Sequence, residues 1–264
     1  MKICVIQNKV YESIEENIKN LLTLENELSK TSYDFIVFPE MFTTPYELKY
    51  FKNTSSRDNR EVLAYLKALA IKYNTYVIGG SIPEISENKI YNSSFVYDRN
   101  GTLISKYRKI HLFSVVYPNG HSFSENEVLS SGKKIVTFNT EFGKMGLMIC
   151  FDIRFPRLAY LLQKQDVKVI FVPAAFNTYT GPMHWYTTFK ARAIDNQLFF
   201  VGASPARDSF GTYEPYGHSL IVNPLGKIIK DLDEKQGIID TEINLDDIEK
   251  ARKSIPIIKN QVDL

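Results

Sequence analysis

Residues Met145 to Val172 read MGLMICFDIRFPRLAYLLQKQDVKVIFV. Met145 to Ile149 is an unbroken apolar run, the pattern of a strand buried on both faces. Pro156 to Gln163 carries helical periodicity, and Val169 to Val172 is a second buried strand. Strand, helix, strand in so short a span implies the α/β class, in which helices cover a buried sheet. A reactive thiol, Cys150, stands at the bend where the first strand ends.

The same alternation extends in both directions. Downstream, a helix from Trp185 to Gln197 leads to a strand at Phe199 to Gly202. Upstream, Lys2 to Gln7 reads as a strand. Ser13 with Glu16 forms a capping-box pattern, followed by Ile14, Ile18, Leu21, Leu22 and Leu28 at helical spacing. Asp34 to Phe38 is another buried strand. Asp58 with Glu61 opens a helix that presents Val62, Leu66, Leu69, Ala70 and Tyr73 on one face, and Tyr76 to Gly80 is a strand. Ile90 to Tyr97 and Thr102 to Arg108 flank an Asn100-Gly101 turn, a hairpin signal. Residues 111–132 read as one long loop, a length that is often functional. Ser219 to Val222, Lys227 to Ile229 and Gly237 to Thr241 read as a closing β-meander, and Leu245 to Lys253 as a last helix. Helices must cover either both faces of one sheet or one face of each of two stacked sheets. Two similar halves fit the second arrangement, and periodicity alone leaves both open.

Composition limits the function. The 264 residues carry 32 Lys and Arg against 30 Asp and Glu, a formal net charge of +2. That balance gives no reason to expect a nucleic-acid partner. No linker or low-complexity stretch interrupts the chain, so one domain over residues 1–264 is expected. No apolar run approaches the roughly 20 residues needed to span a bilayer. The first residues read as a strand and lack the pattern of a signal peptide, so the expected location is cytoplasmic. A bridge between the two cysteines, Cys4 and Cys150, is disfavoured because a chain of this size needs no staple.

Three segments end an apolar strand with a chemically active side chain: Phe38-Pro39-Glu40, Tyr107-Arg108-Lys109, and Gly146-Leu147-Met148-Ile149-Cys150. Ligands of open α/β sheets bind outside the carboxyl ends of strands, so groups distant in sequence can converge there. Each residue also has a plainer reading. Cys150 could be a small buried apolar residue, but Asp152, Arg154 and Arg157 beside it argue otherwise. A helix N-terminus or a nearby cation would lower its thiol pKa. Glu40 could be solvated, yet it leaves a deeply buried strand, where desolvation raises a carboxyl pKa and suits a general base. Lys109 alone reads as a surface lysine unless it has a negative charge to stabilise. His111, His121, His184 and His218 show no metal spacing. A Cys–His protease pair stays open at this point, with His184 and His218 read as packing or hydrogen-bonding near a pocket.

Together the three strand ends, with Ile110-His111-Leu112-Phe113 after Lys109 and Phe151-Asp152 after Cys150, resemble the carbon–nitrogen hydrolase (nitrilase) superfamily. Ala175 to Trp185, Arg192 to Gln197, Ala203 to Asp208 and Tyr216 to Ser219 resemble its ω-amidase branch. The sequence departs from that branch at Tyr179, where a smaller residue is frequent, and at Phe151, often Tyr. The resemblance implies an αββα sandwich that pairs into an αββα–αββα homodimer. It implies Glu40, Lys109 and Cys150 as a catalytic triad and Glu125, preferred over Glu127, as a second pocket glutamate. Lys109 and the Phe151 backbone N–H would form the oxyanion hole. Arg154, Phe176 and Thr180 are candidates for binding the substrate, with Arg154 and Thr180 addressing its distal carboxylate. The implied substrate is a small-molecule amide, and no metal or organic cofactor is called for. Deaminated-glutathione amidase and N-carbamoyl amino acid hydrolase are the alternatives within the family. A non-catalytic scaffold of the same fold would be expected to lack one of the three residues.

Overall fold

The computed structural model describes residues 1–28, 32–55 and 59–262. The chain opens with β1 (Lys2–Gln7) and α1 (Ile14–Leu28), then β2 (Phe35–Val37), α2 (Leu48–Ser55), α3 (Arg60–Tyr73) and β3 (Tyr76–Ile78). Next come β4 (Ile82–Ser86), β5 (Lys89–Tyr97) and β6 (Leu103–Arg108), and a small pair, β7 (Ser114–Val116) and β8 (Ser122–Ser124). The second half runs β9 (Thr137–Thr140), β10 (Gly143–Leu147), α4 (Pro156–Gln163), β11 (Val167–Pro173), α5 (Gly181–Asn196) and β12 (Phe199–Ala203). It closes with β13 (Leu220–Val222), β14 (Ile228–Asp231), β15 (Gly237–Glu242) and α6 (Asp246–Ser254).

Two large sheets result. One has the order β15-β1-β2-β3-β5-β4, with β6 also paired to β5. The other has the order β14-β13-β12-β11-β10-β9. Each is parallel at its centre, β1-β2-β3 in the first and β10-β11-β12 in the second, and antiparallel at its flanks. Strand alternation sorts the side chains into layers. Ile3, Val5, Phe35 and Val37 point between the sheets and share one core with Phe138, Met145, Leu147 and Phe171. Cys4, Ile6 and Ile36, one residue out of phase, pack beneath Leu21 and Leu24 of α1 and Leu66 and Leu69 of α3. The second sheet is covered by Leu158 and Leu162 of α4 and by Trp185 and Phe189 of α5. The architecture is therefore an αββα sandwich, the stacked-sheet alternative of the two left open by periodicity.

Several local readings hold in detail. The Ser13–Glu16 capping box forms: Glu16 N–H donates to Ser13 Oγ at 3.1 Å, and Ser13 N–H donates to Glu16 Oε2 at 3.4 Å. Asp58, read as opening the next helix, lies outside the described residues, and α3 is described from Arg60. Both cysteines are free.

Other readings are corrected. The expected meander breaks after β14, because β15 leaves the second sheet and pairs antiparallel with β1 in the first. Its burial partner is chosen by contacts more than 200 residues away, which local pattern does not encode. Residues 111–132 are not one loop but contain the β7–β8 pair and a 3₁₀ turn at Glu125–Glu127. Cys150 does not stand directly before an α-helix either. A 3₁₀ turn, Cys150–Arg154, separates it from α4.

Candidate active site

The three strand ends meet at one end of the sandwich. Glu40 follows β2, Lys109 follows β6, and Cys150 follows the extension of β10, where Met148 N–H still donates to Phe171 O at 3.1 Å. Glu40 and Lys109 are fully buried, and Cys150 is 4% exposed. Cys150 adopts φ +46°, the left-handed region that non-glycine residues rarely enter. A strained backbone held in a buried site is a frequent mark of function.

Lys109 is enclosed by oxygen. Its Nζ lies 2.8 Å from Glu40 Oε1 and 2.9 Å from Glu125 Oε2, and it donates to Tyr46 Oη at 3.3 Å. Glu125, from the 3₁₀ turn, is also fully buried and accepts from Phe113 N–H at 2.6 Å and from the Tyr46 hydroxyl at 2.7 Å. Glu127 is exposed, so Glu125 is the glutamate that joins the cluster. Asn92 of β5 donates to Glu40 Oε1 at 2.8 Å. The other Glu40 oxygen, Oε2, is buried without a hydrogen-bond partner among the described residues.

These contacts set the charges. Burial pushes the Glu40 carboxyl up, the Lys109 ammonium pulls it down, and Glu125 pushes it up again; the net shift is upward. Burial works against the Lys109 charge, but Glu125 and Glu40 outweigh it and hold the ammonium protonated. The Cys150 thiol is pushed up by burial and by Glu40, more than Lys109 and a hydrogen bond from the Ala175 backbone lower it. The expected lowering of the thiol pKa is thus corrected. An upward shift favours the thiol over the thiolate, and a base beside the sulfur would assist its attack.

Arg154, four residues after Cys150 at the end of the 3₁₀ turn, has a different setting. Its guanidinium carbon sits 4.5 Å from the Phe176 ring centre and 5.7 Å from that of Phe151. It shares a 2.8 Å hydrogen bond with His184 Nδ1. Its Nε is buried with no partner among the described residues. Phe176 is buried against Trp185. Thr180 is also buried, but its one hydroxyl proton goes to Asn177 Oδ1 at 2.9 Å. Thr180 stands at the N-terminus of α5, and in this arrangement its hydroxyl proton is engaged by Asn177.

A cleft of about 480 Å³ adjoins this site, lined by Tyr46, Phe123, Tyr117, Tyr179, Tyr213 and Glu214 among others. Tyr46 connects it to the buried cluster. Tyr179 is 41% exposed and meets Tyr117 edge-on, with ring centres 5.4 Å apart. His111 bonds to Asp152 and His218 to Tyr186 and Leu232. Among the described residues no group of three or more His, Cys, Asp or Glu side chains is placed to hold a metal ion, and no helix is long and apolar enough to cross a membrane.

Sequence reading missed Tyr46, Asn92 and Tyr213. Asn92 carried a usable signal: asparagine is depleted in strands, and it begins a polar run, Asn92-Ser93-Ser94, buried within β5. Tyr46 and Tyr213 carried none, since their aromatic rings read as core.

A buried thiol beside a carboxyl group and an ammonium has the chemistry of covalent acyl transfer: a nucleophile, a base and a cation for the developing oxyanion. The profile of the carbon-nitrogen hydrolase family matches residues 2–253. The chain is 41% identical over 232 residues to the ω-amidase NIT3 of Saccharomyces cerevisiae, covering 86% of this chain and 80% of that protein. It is 35% identical over 260 residues to the human ω-amidase NIT2, covering 98% and 94%. The crystal structure of the yeast Nit3, described as a branch 10 member of the nitrilase superfamily, superposes with a TM-score of 0.89 over 98% of this chain and 96% of that one, at 34% identity. The chain belongs to the carbon–nitrogen hydrolase family.

Proposed function

We propose that this protein is an ω-amidase that hydrolyses the terminal amide of a short dicarboxylic acid monoamide, such as α-ketoglutaramate, to the acid and ammonia. The observation that carries the reading is the buried Glu40–Lys109–Glu125 cluster beside the strained Cys150 thiol. The names of the relatives above support the choice of amide.

In this mechanism Glu40 takes the thiol proton as the Cys150 sulfur attacks the amide carbonyl. The raised thiol pKa leaves that base a proton to take, and the raised carboxyl pKa suits Glu40 to it. Lys109 and the Phe151 N–H stabilise the tetrahedral oxyanion. Glu40 passes its proton to the nitrogen, the carbon–nitrogen bond breaks, and ammonia leaves a thioester on Cys150. A water gives its proton to Glu40 and attacks the thioester carbon. The carbon–sulfur bond breaks, and the thiolate recovers the proton. Glu125 shares the Lys109 ammonium and keeps it aimed. Arg154, flanked by Phe176 and with Nε unpartnered among the described residues, is the group to receive the distal carboxylate.

The test is ammonia release from a panel of ω-keto-acid amides, simple amides and N-carbamoyl amino acids. Fast turnover of α-ketoglutaramate by the wild type and none by Cys150→Ala is expected. Wild-type turnover by Cys150→Ala on any amide would sink the mechanism. Carbon dioxide released with ammonia would mark a carbamoyl substrate. The size of the cleft favours one second reading, a longer amide such as deaminated glutathione, because about 480 Å³ is in the range that takes drug-sized ligands.

The chain is read as one catalytic domain over residues 1–264 that acts as a cytoplasmic homodimer. Light scattering at about twice the 30.4 kDa chain mass checks the dimer, a single cooperative unfolding transition checks the domain, and cell fractionation checks the compartment.

A further inference from the structure

Asp152 is fully buried two residues after Cys150, and four donors converge on it. Its Oδ2 accepts from Ile149 N–H at 3.0 Å and from the Tyr107 hydroxyl at 2.7 Å. Its Oδ1 accepts from His111 N–H at 2.9 Å and lies 2.8 Å from His111 Nδ1. The donors come from two separate places. Ile149 is the residue before the nucleophile. Tyr107 and His111 stand two residues before and two residues after Lys109, at the end of β6. One carboxylate therefore ties the backbone entering Cys150 to both flanks of Lys109.

The surrounding contacts make this link rigid. The His111 ring stacks on Phe155 with centres 3.6 Å apart and planes at 9°. Arg192 of α5 holds the far side of the 3₁₀ turn by donating to Ile153 O at 2.9 Å. Cys150 sits inside this turn at φ +46°, a conformation that persists only where its neighbours over-determine it. An ionised carboxylate is an acceptor at all four positions, so Asp152 matches its donors without remainder. An amide in its place would turn an NH₂ toward two of them.

We propose that Asp152 is a positioning residue that sets Cys150 against Lys109, holding the nucleophile in its left-handed turn and the oxyanion cation at the matching height. It touches neither substrate nor reacting atoms. The proposal rests on the reading of Cys150 as the nucleophile.

The experiment measures alkylation of Cys150 by iodoacetamide across pH, together with kcat and KM, on folded protein. Asp152→Asn is expected to lower kcat on the order of 100-fold, the scale of a misplacement of about 1 Å, with KM little changed. The same variant should alter the rate and pH profile of Cys150 alkylation. Tyr107→Phe, which removes one donor and keeps the carboxylate, should move both readouts in the same direction by about three- to tenfold, and it carries the test alone if Asp152→Asn does not fold. Val62→Ala, a core truncation under α3, serves as the control for lost stability. Wild-type alkylation and kcat in Asp152→Asn or Tyr107→Phe, or losses that only track the unfolded fraction as in Val62→Ala, would overturn the proposal. Failure of the nucleophile reading looks different: Cys150→Ala would turn over substrate, and the wild type would not be alkylated at Cys150 selectively.

Discussion

Two cations lie near Cys150, Lys109 fully buried and Arg154 half-buried, and the protein treats them in opposite ways. Lys109 is paired with two carboxylates and a tyrosine hydroxyl within 3.3 Å. Arg154 has aromatic rings for neighbours, one bond to a histidine, and a buried Nε with no partner among the described residues. Burial lowers the Arg154 pKa, opposed only in part by Cys150 and Tyr213, and among the described residues no carboxylate acts against that shift. A cation whose countercharges are built in is fixed before the substrate arrives and can serve the transition state. A cation left without one gains most from a ligand that brings its own carboxylate. In the proposed mechanism the two groups divide the work, Lys109 serving the chemistry and Arg154 recognition.

The largest effect should come from breaking the paired side. Lys109→Met removes an oxyanion donor, a loss of about 2.7–4 kcal/mol or 10²–10³ in kcat. It also leaves Glu40 and Glu125 buried together without a cation, so a lower melting temperature is expected as well. Steady-state kinetics on folded protein separates the two. An unchanged kcat would remove Lys109 from the chemistry. Arg154→Met should act on the other parameter: KM for a carboxylated amide rises about 10- to 150-fold, the worth of a charged hydrogen bond of roughly 1.5–3 kcal/mol, while kcat changes far less. A neutral amide of the same length should show no KM change. If both amides suffer alike, Arg154 supports the turn and does not read a carboxylate.

The contrast between the cations also shows what the chain made legible. Lys109, Glu40 and Cys150 each end an apolar strand, and strand ends can be read because burial forces continuous runs such as Phe35-Ile36-Val37. The buried central strands, and α1 with its capping box, are legible for the same local reason, while their division into two stacked sheets is not. What surrounds the Lys109–Glu40 pair is not local. Tyr46, Asn92 and Glu125 come from a loop after β2, the middle of β5 and a 3₁₀ turn, and only the assembled sheet brings them within bonding distance. β15 fails to read as part of the first sheet for a related reason. Its alternation fits either sheet edge, and the choice is made by pairing with β1. Thr180 makes a related point: its type suits ligand binding, and the hydrogen bond it gives to Asn177 is visible only in the fold.

A subtler test perturbs the countercharge and leaves the cation. Glu125 pushes the Glu40 carboxyl up. Glu40 must be unprotonated to act as the base, so kcat/KM falls as pH drops through its pKa. The acid limb of the wild type should therefore lie above the ordinary glutamate value of about 4.3. Glu125→Gln removes the upward push, and its acid limb should move to lower pH even as the maximum rate declines. A limb that stays in place or moves upward would mean that another group controls it.

The smallest effect belongs to the rim of the cleft, beyond both cations. Tyr179 is partly exposed and meets Tyr117 edge-on, and Tyr117 in turn accepts a 2.8 Å hydrogen bond from Asn177, the residue that caps Thr180 at the start of α5. Tyr179→Ala removes one aromatic pair, worth about 0.5–1.5 kcal/mol, and opens the wall facing solvent. Neither Lys109 nor Arg154 loses a contact, so kcat and KM for a five-carbon ω-amide should stay within about twofold, well under the effect of a lost charged bond. A longer amide, whose far end would reach the rim, should change its kcat/KM by about three- to tenfold, as expected for roughly 1 kcal/mol of contact. The measurement is the ratio of kcat/KM for long and short amides in both proteins. A change confined to the long substrate places the rim in recognition and leaves the division between the cations intact. A change in the short substrate would mean that Tyr179 acts through Asn177 and α5 on the buried site, and the rim and the centre could no longer be treated as separate.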